Sequence, residues 1–181
     1  MKNLLTRKNN RLNKHDYSAN GWYLCTICSK NRENIFGQYI NNFVGTGLAP
    51  VRHKNNIKLS TIGNIIKNNL IGIPQHYDNV GIDEYIIMPN HIHCILIIDK
   101  LREGASPSPT ISTIIGSFKS KCSIEYLNYI KQNNLNLSGQ IWQRSFHDHI
   151  IRNKKSLNAI RKYIEINPQN WENDIENLIN L

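Results

Sequence analysis

The chain has 181 residues, enough for one domain with a sizeable apolar core and too few for two well-stabilised ones. Hydrophobic residues make up 40% and charged residues 19%, the composition of a folded globular protein, and no apolar run reaches the roughly 20 residues of a membrane helix. Lys and Arg number 22 against 13 Asp and Glu, a formal charge of +9, so nucleic acid is the favoured partner class.

Residues 1–20 read as a basic, poorly ordered arm and residues 21–181 as a single domain. The start is basic and Asn-rich without the apolar core of a secretory signal, so the expected setting is the cytoplasm with free thiols. Residues 21–29 (GWYLCTICS) are rich in β-formers and predict a strand. Cys25 and Cys28 lie in it at C-x-x-C spacing. No second pair follows, so they read as strand or core residues, with a metal role the lesser alternative. Residues 30–56 carry the breakers Gly45, Gly47 and Pro50 and predict loop or hairpin. Leu59, Ile62, Ile66 and Leu70 follow at helical spacing and predict a helix over 59–70. Strands are expected over 82–88 and 91–98, interrupted at Pro89-Asn90. Residues 99–110 form a Gly/Pro/Ser-rich linker, and 111–130 predict a long basic helix. After a break at Gly139, residues 141–151 predict a fourth strand. Asn153 can cap a helix that runs to about Ile166, where Pro168 stops it ahead of a short tail helix. Strands and helices mix without regular alternation, which predicts an α+β fold with a largely antiparallel sheet.

Two elements carry candidate chemistry. On a strand, His91 and His93 point to the same face while Ile92 enters the opposite layer. Paired imidazoles on a stiff support suit a divalent transition metal, although two ordinary surface histidines have the same spacing. In the helix over 154–167, Leu157, Ile160 and Ile164 form an apolar stripe. Tyr163 lies at its margin, and Asn167 one turn further along the same face. A phenol and an amide oxygen so placed can face a metal on a neighbouring strand; a half-buried packing tyrosine fits the same pattern. Asn167 precedes Pro168, which disfavours the α region for it. His147-Asp148-His149 repeats the two-apart spacing and is a rival metal site. Beside Arg144 and Arg152 it reads better as a substrate-facing edge, with His149 contacting phosphate or assisting proton transfer. Lys119, Lys121, Arg144, Arg152, Lys155 and Lys162 flank these motifs, with Trp142 and Phe146 interleaved, a pattern that suits either single-stranded nucleic acid or a core.

Taken together, YIIMPNHIH at 85–93, IIGSFKS at 114–120, IWQRSFHDHIIR at 141–152 and KYIEINP at 162–168 resemble the REP-associated tyrosine transposases, within the single-tyrosine HUH class, in which HUH denotes His–hydrophobic–His. The resemblance spans about residues 15–172. It implies a ferredoxin-like sheet flanked by helices, a catalytic Mg²⁺ or Mn²⁺ held by His91, His93 and Asn167, and Tyr163 as nucleophile. It further implies single-stranded DNA, hairpin-forming, as substrate, a 5′-phosphotyrosine intermediate, and a monomer or homodimer. Expected DNA contacts are Arg144, His149, Arg152 and Lys119. The competing expectations are a non-catalytic single-stranded nucleic-acid-binding protein, which needs no convergence of His91, His93 and Tyr163, and a zinc hydrolase, which needs no tyrosine.

Overall fold

The computed structural model describes residues 15–40, 57–99 and 109–174. The breakers Gly45, Gly47 and Pro50, most of the 99–110 linker, residues 1–14 of the basic arm and the tail beyond residue 174 lie outside the described residues.

Strand β1 (Gly21–Cys28) alternates half-buried and buried residues, the signature of a strand with one fully packed face. A small ribbon of β2 (Gly37–Tyr39) and β3 (Ile57–Leu59) follows, then helix α1 (Thr61–Ile71), capped by Ser60, whose hydroxyl accepts from Gly63 N at 3.1 Å. Leu59, read from spacing as the start of this helix, belongs instead to β3. The seryl cap one residue later sets the helix start, and apolar periodicity is blind to a cap. Gly63 lets α1 approach the preceding loop backbone, for a Cβ there would lie 1.9 Å from the Phe36 carbonyl oxygen.

Strands β4 (Val80–Ile87) and β5 (His91–Ile98) form a hairpin around Met88-Pro89-Asn90, and helix α2 (Ile111–Gln132) is capped by Thr110. Strand β6 (His147–Ile151) is shorter than the 141–151 expected. Residues 141–146 instead run as a loop tied to β1 by a bridge between Ser29 and Trp142. The loop is held because Lys119 Nζ donates to the carbonyls of Gln143 (2.8 Å) and Ser145 (3.1 Å), while Trp142 Nε1 donates to Lys119 O (3.0 Å). Helix α3 (Lys154–Ile166) starts at the expected cap, with Asn153 Oδ1 accepting from Ser156 N at 2.8 Å.

The sheet order is β4-β5-β1-β6, with antiparallel neighbours throughout. With α1 between β1 and β4, and α2 between β5 and β6, this is the split β-α-β connectivity of a ferredoxin-like α+β fold. One sheet face, including Tyr23, Cys25, Ile27, Ile92, Cys94 and Leu96, packs on α1 and α2 as the main core. The other face packs Ile95 and Ile151 against Leu157 and Ile164 of α3. Each such aliphatic side chain contributes roughly 1.5–3 kcal/mol on burial, so the α3 stripe predicted from sequence seats the helix. Arg161 of α3 adds a two-pronged pairing to Asp83 of β4, at 2.9 and 2.6 Å, which fixes the helix rotation about its axis. The described end of the basic arm folds back: Tyr17 packs against the main core, and Tyr23 Oη donates to Ala19 O at 2.8 Å.

Candidate active site

The alternation of β5 sends Ile92 into the main core and His91 and His93 to the α3 side, as their spacing predicted. Both histidines are buried, at 0% and 4% exposure, and their ring centroids lie 4.6 Å apart. They are not a surface pair. Each is oriented through its Nδ1. His91 Nδ1 donates to Asn90 Oδ1 at 2.9 Å, and Asn90, itself fully buried, donates from Nδ2 to Arg32 O at 3.0 Å. His93 Nδ1 is hydrogen-bonded to Thr26 Oγ1 at 2.9 Å, from the cross-strand partner position on β1. With both Nδ1 atoms engaged, the His93 Nε2 faces Tyr163, and the His91 Nε2, its Nδ1 being the protonated nitrogen, presents a lone pair with no hydrogen-bond partner.

Helix α3 brings Tyr163 to this pair. Its hydroxyl lies 3.1 Å from His93 Nε2, with ring centroids 5.2 Å apart, and the residue is 41% exposed. The phenol therefore meets His93 on one side and solvent on the other. Asn167 keeps helical geometry (φ −53°, ψ −42°) despite preceding Pro168, contrary to the expected push out of the α region. The reason is that Pro168 opens a 3-10 turn, Asn167–Asn173, that continues from α3 without reversing the chain. Asn167 is buried, its Oδ1 has no hydrogen-bond partner, and its side chain hydrogen-bonds Tyr163 and Asp174. The turn also stacks Trp171 near His91, at 6.1 Å between centroids, and sets Asp174 with Oδ2 3.8 Å from His91 Nε2.

A cleft of about 550 Å³ opens beside these groups, lined among others by Thr26, Arg32, His93, His147, His149 and Tyr163. His147 and His149 stand on the edge strand β6, His147 opposite Thr26 and His149 opposite Leu24. The rival 147–149 segment thus faces the cleft and is exposed, while the buried pair is 91 and 93. Arg32, at the cleft wall, and its chain neighbour Asn31 both have positive φ, 57° and 53°. Arg144 and Arg152 are exposed next to β6, and neither lines the cleft. Lys119, an expected DNA contact, holds the 141–146 loop. Two of its three N–H bonds are spent on loop carbonyls, and burial lowers its pKa to about 8, so it works as a loop anchor. Trp142 packs on Phe36 and Phe118 at 5.3 and 5.7 Å, partly buried against the main core.

Burial lowers the pKa of His91 well below the ordinary histidine value, aided by its neighbour His93 and by Arg32. His93 is lowered to about 4 by burial, against the pull of Asp174. Both imidazoles are therefore neutral at physiological pH, the form that ligates metal. Burial and the Asp174 charge raise the Tyr163 phenol, opposed by the Asn167 hydrogen bond. Unaided, the phenol stays protonated. As a test of fit to a divalent cation, the buried His91 Nε2 and Asn167 Oδ1 have no hydrogen-bond partner. Buried polar atoms without partners are costly, so two atoms of this kind at one place suit a ligand that accepts their lone pairs. Among the described residues no three or more His, Cys, Asp or Glu side chains gather into a cation site by themselves, so the amide is needed in the set. Sequence reading missed Thr26, Asn90, Arg32 and Asp174. Asn90 adjoins the motif and Thr26 lies on the right strand face, but only the register brings them to their histidines.

A ferredoxin-like sheet carrying paired inward histidines on a central strand, with a tyrosine on the next face-covering helix, has the architecture of the single-tyrosine HUH proteins. A family profile described as "Transposase IS200 like" matches residues 17–167, and the chain belongs to that family. It is 34% identical over 179 residues to an uncharacterized protein of Haemophilus influenzae, covering 93% of this chain and 91% of that one. In fold it is similar to a REP-associated tyrosine transposase solved bound to a REP hairpin, with a TM-score of 0.54 at 18% identity, over 88% of this chain and 73% of that one. Among the described residues no helix is long and apolar enough to cross a membrane.

Proposed function

We propose that this protein is a metal-dependent endonuclease and strand transferase for single-stranded DNA, with Tyr163 as nucleophile. The observation that carries the reading is the 3.1 Å approach of the Tyr163 hydroxyl to an inward-facing histidine of a buried pair. A non-catalytic binding protein has no need of that convergence.

His91, His93 and Asn167 would hold Mg²⁺ or Mn²⁺, which supplies Lewis-acid polarisation of the scissile phosphate. The imidazole pair favours Mn²⁺, the softer of the two ions. Thr26 and Asn90 keep the two rings aimed inward, so little reorganisation is left for the reactive state. Tyr163 Oη attacks phosphorus. The Oη–P bond forms as the bond to the 3′ oxygen breaks, the phenol gives up its proton, and the leaving oxygen takes one up. In this reading His149, which lines the same cleft as Tyr163, carries that proton. The product is a 5′-phosphotyrosine link and a free 3′-hydroxyl. Attack by a second 3′-hydroxyl reverses the step and joins strands without a nucleotide cofactor. Arg32 in the cleft, with Arg144 and Arg152 at its rim strand, supplies positive charge for the phosphate backbone. Hairpin DNA is the preferred substrate in this reading, by kinship with the REP-associated enzyme. The protein works as a monomer or a homodimer.

Incubation with end-labelled hairpin DNA bearing a single-stranded flank should give an SDS-resistant adduct with Mn²⁺ and none with EDTA. A metal-dependent product without any adduct would instead favour hydrolysis by activated water.

A further inference from the structure

We infer that Asp174 supplies a carboxylate ligand to the same divalent cation, completing a His91–His93–Asn167–Asp174 set. The inference rests on the function proposed above. Asp174 lies just past the 3-10 turn that continues α3, and it is buried, at 8% exposure. Its Oδ2 stands 3.8 Å from His91 Nε2. Donors bound about 2.1 Å from a common octahedral ion lie roughly 3.0 Å apart when adjacent and about 4.2 Å when opposite. The observed separation falls between these limits; the described His and Asp side chains do not by themselves gather into a cation site, so binding draws the Asp174 carboxylate inward onto the ion.

Charge argues the same way. Imidazole and amide bind a metal as neutral donors, so His91, His93 and Asn167 bring no negative charge to the ion. A dication drawn into a site 0–4% exposed would lose hydration with no compensating charge. The nearest buried carboxylate removes that deficit. Burying the Asp174 carboxylate is itself costly. The chain nevertheless holds it there, with the Asn167 side chain hydrogen-bonded to it and Trp171 of the same turn against His91. A cation between them repays the cost. The turn thereby acquires a purpose beyond ending the helix, since it delivers one oxygen ligand at each of its ends.

Mn²⁺ binding can be read directly, from the electron paramagnetic resonance of free Mn²⁺ during titration of the full chain, without DNA. Asp174→Asn should weaken Mn²⁺ affinity roughly 10- to 100-fold, while Asp174→Glu retains part of it. Mn²⁺ should raise the melting temperature of the native protein and of Asp174→Glu more than that of Asp174→Asn. Asp174→Asn with native Mn²⁺ affinity, beside a His91→Ala variant that has lost it, would overturn the inference and leave the proposed function standing. Loss of thermal stability in Asp174→Asn with unchanged Mn²⁺ affinity would assign the residue a packing role and also overturn it. A native protein that fails to bind Mn²⁺ at all would remove the proposed function itself.

Discussion

Tyr163→Phe should abolish the SDS-resistant DNA–protein adduct, lowering its rate of formation on the order of a thousandfold or more, as loss of a covalent nucleophile does. The substitution deletes one oxygen and keeps the ring. The ring packs edge-on to His93 and is 41% exposed, so neither the core nor the α3 seat depends on the hydroxyl. Single-stranded DNA binding should therefore stay within about twofold, because removing one exposed hydroxyl leaves the cationic groups in place. The combination of lost adduct and retained binding separates a nucleophile from a packing residue. Retained adduct in this variant would dismiss Tyr163. Parallel loss of binding would mean that the substitution had disturbed the cleft.

His91→Ala should cost cleavage roughly 10²- to 10³-fold, and excess Mn²⁺ should restore little of it. His91 is wholly buried, with Nδ1 fixed by Asn90, so no other side chain can swing in to replace it. The variant leaves a void of one imidazole and strands the Asn90 carbonyl, so a stability loss of about 1–3 kcal/mol is expected too. Cleavage must then be measured well below the variant's melting temperature. The opposing substitution on the edge strand gives the contrast. His147→Ala changes an exposed cleft residue and should leave Mn²⁺ affinity unaltered, as it would not if the 147–149 segment were the metal site.

Much of this architecture could be read from the residues. The bounds of β5 and the capped start of α3 follow from alternation and from Asn153, because each is a local signal strong enough to decide its own element. The pairing of His91 with His93 on one face follows from the strand period alone. Other features depend on contacts far apart in the chain. Trp142 and Phe146 alternate as strand residues do, yet Lys119 captures the loop carbonyls around them, and β6 begins only at His147. That capture also gives Lys119, an expected phosphate contact, a loop-holding role that its place in the sequence does not reveal. Thr26 gives no hint of function in its own segment; its role is created by the β1–β5 register. Asp174 was least legible of all. Pro168 signals the end of a helix, but not that the following turn carries a carboxylate back to the histidines.

The most direct test is to identify the residue joined to DNA. The native protein, incubated with hairpin DNA and Mn²⁺, is digested with protease and nuclease, and the nucleotide-bearing peptide is sequenced by mass spectrometry. The expected result is a single phosphotyrosyl linkage at Tyr163, to the 5′ side of the break. A linkage at another tyrosine, or cleaved DNA with no peptide attached, would contradict it.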